Sequence, residues 1–207
     1  MLEADLVKLL HPNPGIVGLV GSDGSGKTHS IDNISIDLKP GKILNGTKYR
    51  EWGWSDLIEI GNSFRPDTQQ ERDFYRLCAA RFYAYASTLP SNNFPLLVDS
   101  EPISKWLMWE VILGNSISNG TNQILEELIS VARGIIPARF IYVHRAGSIE
   151  TQANTIWGFI KDRPSPSSSD PKSKEDVVAQ LNANLDVIGV LNDWTQRGIV
   201  QLDELVT

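Results

Sequence analysis

Apolar residues in this chain fall into short continuous runs separated by longer stretches with helical spacing. Ile16-Val17-Gly18-Leu19-Val20 is such a run, and it predicts a strand over 15–20 that is buried on both faces. Phe94-Pro95-Leu96-Leu97-Val98 reads the same way and ends at Asp99. Arg139–His144 and Ile199–Leu202 give two further strands, and Lys42–Asn45 a short one after the Pro40-Gly41 turn. Leu2, Leu6, Leu9 and Leu10 form a helical stripe ended by His11-Pro12-Asn13-Pro14, with the role of a packing cap. A helix is expected from Lys27 to about Leu38, and a short one around Ser55–Gly61 within the less legible stretch 46–66. Asp67 to Leu89 predicts a long helix, with Asp67 as its cap and Phe74, Leu77, Cys78, Arg81, Phe82 and Tyr85 recurring at helical spacing. Helices near 103–114 and 121–134, then Ser148–Lys161 and Lys174–Gln196, complete the series. Strands alternating with helices imply an α/β fold, a parallel sheet of about five strands joined by right-handed crossovers.

Length and composition agree with one domain spanning 1–207. The chain has 207 residues, 41% of them hydrophobic and 21% charged, enough to bury a proper core. A net charge of −6 and a pI near 5.1 argue against a broad electrostatic grip on nucleic acid or on an anionic membrane, while leaving room for a local basic cleft. The single cysteine, Cys78, has no partner for an intramolecular disulfide and no metal-binding neighbours, so it reads as a small buried apolar residue. No apolar stretch is long enough to span a bilayer and the start of the chain has no signal-peptide pattern, so the expectation is no membrane and a cytoplasmic location. Arg163–Ser173 is rich in Pro, Ser and charge, and reads as a mobile loop.

The candidate chemistry starts where the first strand ends. Gly21-Ser22-Asp23-Gly24-Ser25-Gly26-Lys27-Thr28 is the phosphate-binding pattern GxxxxGK[ST], placed between a strand and a predicted helix as its physics requires. Gly21, Gly24 and Gly26 let backbone N–H groups converge on phosphate oxygens. Lys27 supplies a charge for the β- and γ-phosphates, the Thr28 hydroxyl can ligate Mg²⁺, and a helix starting at Lys27 points its positive end at the same anion. Asp99, at the C-terminal end of a strand expected beside the first, sits where α/β sheets build their sites. It suits a role holding Mg²⁺ through water or accepting a proton from a hydroxyl nucleophile. ATP and Mg²⁺ are the expected ligands.

The order of these parts resembles the thymidylate kinase family of P-loop nucleoside monophosphate kinases, from about Ile16 onward. Asp23-Gly24-Ser25-Gly26-Lys27-Thr28 matches the family's DGSGKT, and Tyr49-Arg50-Glu51-Trp52-Gly53-Trp54-Ser55 is similar to its REPGGT segment. Cys78-Ala79-Ala80-Arg81 matches the AxR helix motif, Leu97-Val98-Asp99 the strand into the DRY motif, and Ser104 the serine beyond it. Pro137-Ala138-Arg139-Phe140-Ile141-Tyr142-Val143 is similar to PDxxIYL, and Asp162-Arg163 to the DR of the lid. The resemblance implies a three-layer P-loop NTPase fold with a mobile lid at about 161–174, and transfer of the γ-phosphoryl of ATP to an acceptor oxygen. It also implies that Asp23 reaches toward the acceptor's sugar, Arg81 its base and Arg50 its phosphate, while Arg163 swings over the transferring phosphoryl. A homodimer through helix 67–89 or 103–114 follows from the family's habit alone. Arg81 fits equally a surface arginine that snorkels from an apolar helix face. Lys161, Lys172 and Lys174 are alternative lid cations, and Trp106 and Trp109 read as core.

The acceptor side departs from the family pattern. DRY is Asp99-Ser100-Glu101 here, and a serine cannot replace a bidentate, permanently charged guanidinium on a phosphate. The tyrosine and glutamine of the following AYQ are Met108 and Trp109, the stacking aromatic four residues before Arg81 is Leu77, and REPGGT keeps only Gly53 between Trp52 and Trp54. Three readings stay open. One is a kinase for a pyrimidine nucleoside monophosphate that holds the acceptor phosphate with Arg50 or Arg65. Another resembles the branch that phosphorylates 5-hydroxymethyluracil in phage DNA, with Asp99 or Glu101 as base toward a hydroxymethyl group. The third is a nucleotide-binding switch without transfer activity.

Overall fold

The computed structural model describes residues 15–22, 24–27, 42–44, 69–89, 96–99, 102–112, 138–164 and 171–207. The expected helices at 2–10, 28–38, 55–61 and 121–134, and residues 165–170 of the expected lid, lie outside the described residues.

Five strands form one parallel sheet: β1 (Ile16–Val20), β2 (Lys42–Leu44), β3 (Leu96–Asp99), β4 (Ala138–His144) and β5 (Gln201–Val206), in the spatial order β2-β3-β1-β4-β5. β1 is central because every one of its residues is buried. A strand with both faces covered needs a continuous apolar run, and Ile16–Val20 is one. Its register sets Leu19 beside Asp99 on one flank and Val20 beside Tyr142 on the other. The chain leaves β1 for the outer β2, returns to β3, and only then crosses to β4. The reversal of direction therefore lies at β1, where open α/β sheets place ligands at the carboxyl edge.

The four described helices are α1 (Gln69–Ala86), α2 (Pro102–Ile112), α3 (Ile149–Ile160) and α4 (Lys174–Gln196). Cys78, Ala79, Phe82, Tyr83 and Ala86 give α1 a buried stripe, of which Ala79, Phe82, Tyr83 and Ala86 join Ile103, Trp106 and Leu107 of α2 and Val187, Leu191 and Trp194 of α4 in one core over one sheet face. Burial pushes the Cys78 thiol far above the usual thiol range, as expected of a packed apolar residue. Trp106 belongs to this core and donates its Nε1–H to Glu110 Oε1 at 2.8 Å; the Trp109 side chain lies outside the described residues. A second, smaller cluster joins Ala153, Ile156 and Ile160 of α3 to Val177 and Leu181 at the start of α4. Each of these two helices begins on a serine cap. Ser148 accepts the Thr151 N–H at 3.3 Å, and Ser173 accepts the Asp176 N–H at 3.1 Å while Asp176 accepts the Ser173 N–H at 3.0 Å.

The final strand is displaced from its expected place at 199–202. Ile199 and Val200 serve the turn after α4, and pairing with β4 runs from Gln201 to Val206. Two acidic residues inside that strand hid it. Asp203 pairs with Arg139 and Glu204 with His144, both on the neighbouring β4, so charge that looks like a loop in sequence is satisfied across the sheet. Burial, and then the nearby Glu204 charge, raise the Tyr142 phenol above its ordinary range.

Candidate functional site

The loop after β1 turns at Gly21, whose φ of +146° lies where side-chain-bearing residues strain. Its α-carbon also presses on β4: a Cβ added there would lie 2.3 Å from the Val143 carbonyl oxygen. Only a hydrogen fits. The Ser25 N–H closes the loop onto Ser22 O at 3.1 Å, and the backbone becomes helical at Lys27.

Protein donors hold the loop's carbonyls. The buried Lys27 Nζ donates to Gly21 O at 2.7 Å and to Ser22 O at 2.8 Å. Arg145 donates twice to Gly24 O, and the Thr207 hydroxyl donates to Ser25 O at 3.0 Å. In a trans peptide the N–H of the next residue points opposite each carbonyl, so the contacts to Gly21 O and Ser25 O turn the amides of Ser22 and Gly26 to the other side of the loop, while the Ser25 N–H stays on Ser22 O. The Ser25 hydroxyl is buried without a hydrogen-bond partner. An orphaned donor inside a loop of turned amides, beside a buried ammonium, fits a phosphate group. Around this cradle, Gly24 packs on Ile156 of α3 and Gly26 on Thr207 at the end of β5.

The structure brings only some of the expected residues to this loop. Gly21, Ser22, Gly24, Ser25, Gly26 and Lys27 form it. Asp99 closes β3 in register with Leu19, which puts its backbone on the carboxyl edge from which the loop springs. Arg163 is exposed just past α3, its N–H donating to Ile160 O at 3.1 Å. Because Ile156 of the same helix touches Gly24, α3 links the loop to the segment that carries Arg163. Of the alternative lid cations, Lys174 is paired with Glu150 of α3, while Lys161 and Lys172 are exposed. Arg81 is exposed on α1. Asp23, Thr28, Arg50, Arg65 and Glu101, and the side chains of Leu77 and Asp99, lie outside the described residues. No group of three or more potential metal ligands occurs among the described residues, so the proposed Mg²⁺ ligands Thr28 and Asp99 rest on sequence.

Two residues at the loop have no counterpart in the sequence expectations: Arg145 and Thr207. The one signal for Arg145 was its place immediately after a strand, at the edge where such sheets build sites. Thr207 is placed by β5, which runs past the expected 199–202 to Val206.

Neither a protein-family model nor a curated protein matches the chain by sequence. Solved structures match it by fold. A thymidylate kinase from Candida albicans aligns over 94% of this chain and 84% of its own length, with a TM-score of 0.55 at 15% identity. A deoxyadenosine kinase from M. mycoides with bound dATP aligns over 93% of this chain and 90% of its own, with a TM-score of 0.49 at 14% identity. The chain thus shares the fold of the Candida thymidylate kinase, an α/β arrangement with a parallel sheet and flanking helices. Among the described residues no helix is long and apolar enough to cross a membrane.

Proposed function

We propose that this chain is an ATP-dependent phosphotransferase of the nucleotide-kinase type, one domain over 1–207 with a lid at about 161–174. The observation that carries the reading is the loop itself: positive-φ glycines, and carbonyls held by the buried Lys27 ammonium, by Arg145 and by Thr207. Phosphoryl transfer asks a protein for positioning and for neutralisation of charge on the phosphoryl oxygens, which is what such a loop supplies. Amides of the Gly21–Lys27 loop, apart from that of Ser25 on Ser22 O, hold the triphosphate, and the Lys27 ammonium, which caps Gly21 O and Ser22 O, reaches its β- and γ-phosphates. Thr28 and Asp99 would hold Mg²⁺, which when bound neutralises charge between those phosphates. An acceptor oxygen then forms a bond to the γ-phosphorus while the bond to the β–γ bridging oxygen breaks. ADP departs, and the acceptor's proton goes to solvent or to Asp99. Arg163, delivered by α3, covers the transferring phosphoryl.

The acceptor in this reading is a pyrimidine nucleoside monophosphate, with Asp23 toward its sugar, Arg81 toward its base and Arg50 toward its phosphate. Asp99-Ser100-Glu101 favours a second acceptor, the hydroxyl of 5-hydroxymethyluracil in DNA, since that segment lacks an arginine clamp and Glu101 adds a candidate base. A transfer screen with ATP labelled on its γ-phosphate separates the two. Label on a nucleoside monophosphate supports the first, and label on hydroxymethylated DNA the second. Label on neither, nor on a free nucleoside, removes the phosphotransferase reading and leaves a nucleotide-binding switch.

A further inference from the structure

We propose that Arg145 is a positioning residue for the triphosphate loop, clamping the Gly24 peptide and tying it to the last turns of α3. This rests on the reading of Gly21–Lys27 as an ATP site. Arg145 is the first residue past β4, and β4 pairs directly with β1, so the side chain emerges beside the loop. Its Nε and Nη2 both donate to the Gly24 carbonyl, each at 3.1 Å, a two-pronged contact available to a planar guanidinium and not to an ammonium. The guanidinium carbon also lies 4.9 Å from the centroid of the Phe159 ring. Phe159 is the most exposed large apolar side chain among the described residues, at 58%, and it precedes the end of α3 by a single residue.

The base of this arm is itself pinned. His144 Nδ1–H donates to the Arg145 carbonyl at 3.1 Å, the Ala146 N–H reaches Thr207 O at 3.4 Å, and Gln152 Nε2–H donates to Gly147 O at 3.0 Å. Gly24, by contrast, has no intrinsic reason to keep its φ of +79°, because glycine populates both signs of φ about equally. A fork from a rigid turn selects one of those states. It keeps the Gly24 oxygen turned toward Arg145 and adds positive charge to the loop's surroundings. Through Phe159, the same guanidinium joins the apex of the loop to the helix that leads to Arg163.

The test is calorimetric titration of ATP–Mg²⁺ into the parent chain and into R145K, R145A and F159A, with nucleotide-free melting temperatures measured beside it. R145A should bind ATP about tenfold more weakly, the scale of a lost hydrogen bond to a charged group. R145K should lose nearly as much, since it keeps the charge but not the fork, while its nucleotide-free melting temperature stays within about 2 °C of the parent. F159A should weaken binding about threefold, in line with one exposed cation–π contact. If R145A does not fold, R145K and F159A decide the matter. R145K binding within twofold of the parent, or losing melting temperature in step with affinity, overturns the proposal. A parent that binds ATP alongside three unaffected variants overturns this inference alone, whereas a parent that binds no ATP overturns the functional reading and this inference with it.

Discussion

Gly21 is the most constrained of the described positions in the candidate site, because conformation and space both exclude a side chain there. Its φ lies in the region that favours glycine, and the Val143 carbonyl oxygen occupies the volume of a Cβ. Gly21→Ala should therefore destabilise the fold by about 2 kcal/mol or more, from the backbone strain together with the displaced β4 carbonyl. Urea denaturation checks the figure, and a variant as stable as the parent would show that this close approach is not real. Not all of the site was visible at this scale. The glycines and Lys27 were legible because their chemistry depends on local spacing. Arg145 was not, because its partner Gly24 is remote in sequence and the contact exists only once β1 and β4 pair.

Among the elements, α3 and α4 show how local signals and tertiary context divide the work. Ser148 and Ser173 mark the starts of these helices in the sequence, since a side-chain oxygen there takes up an otherwise orphaned N–H. Ser173→Ala should cost about 1 kcal/mol and lower the melting temperature by roughly 2–4 °C. ATP affinity should not change. A loss of affinity in that variant would mean that the start of α4 belongs to the binding site rather than to its support. β1, β3 and β4 were readable as apolar runs bounded by turns or charge. β5 was placed too early because Asp203 and Glu204 resemble a loop until Arg139 and His144 stand beside them. Charges answered across a sheet carry no local signature.

For the whole molecule, the order β2-β3-β1-β4-β5 turns a local motif into a site. It sets the loop after β1 between the ends of β3 and β4, with Asp99 on one flank and Arg145 on the other. The fold shared with the Candida thymidylate kinase agrees with the sequence resemblance, while the rewritten Asp99-Ser100-Glu101 segment keeps the acceptor a matter for the transfer screen. The central claim is that the chain from Gly21 to Lys27 grips a triphosphate, and thermal unfolding with and without ATP–Mg²⁺ tests it most directly. A ligand that binds only the folded state at about one hundred times its dissociation constant adds about 2.7 kcal/mol, so the parent should melt several degrees higher with nucleotide. Lys27→Ala should lose most of that gain. A parent whose melting temperature does not move in saturating ATP–Mg²⁺, or a Lys27→Ala variant that gains as much as the parent, would contradict the account.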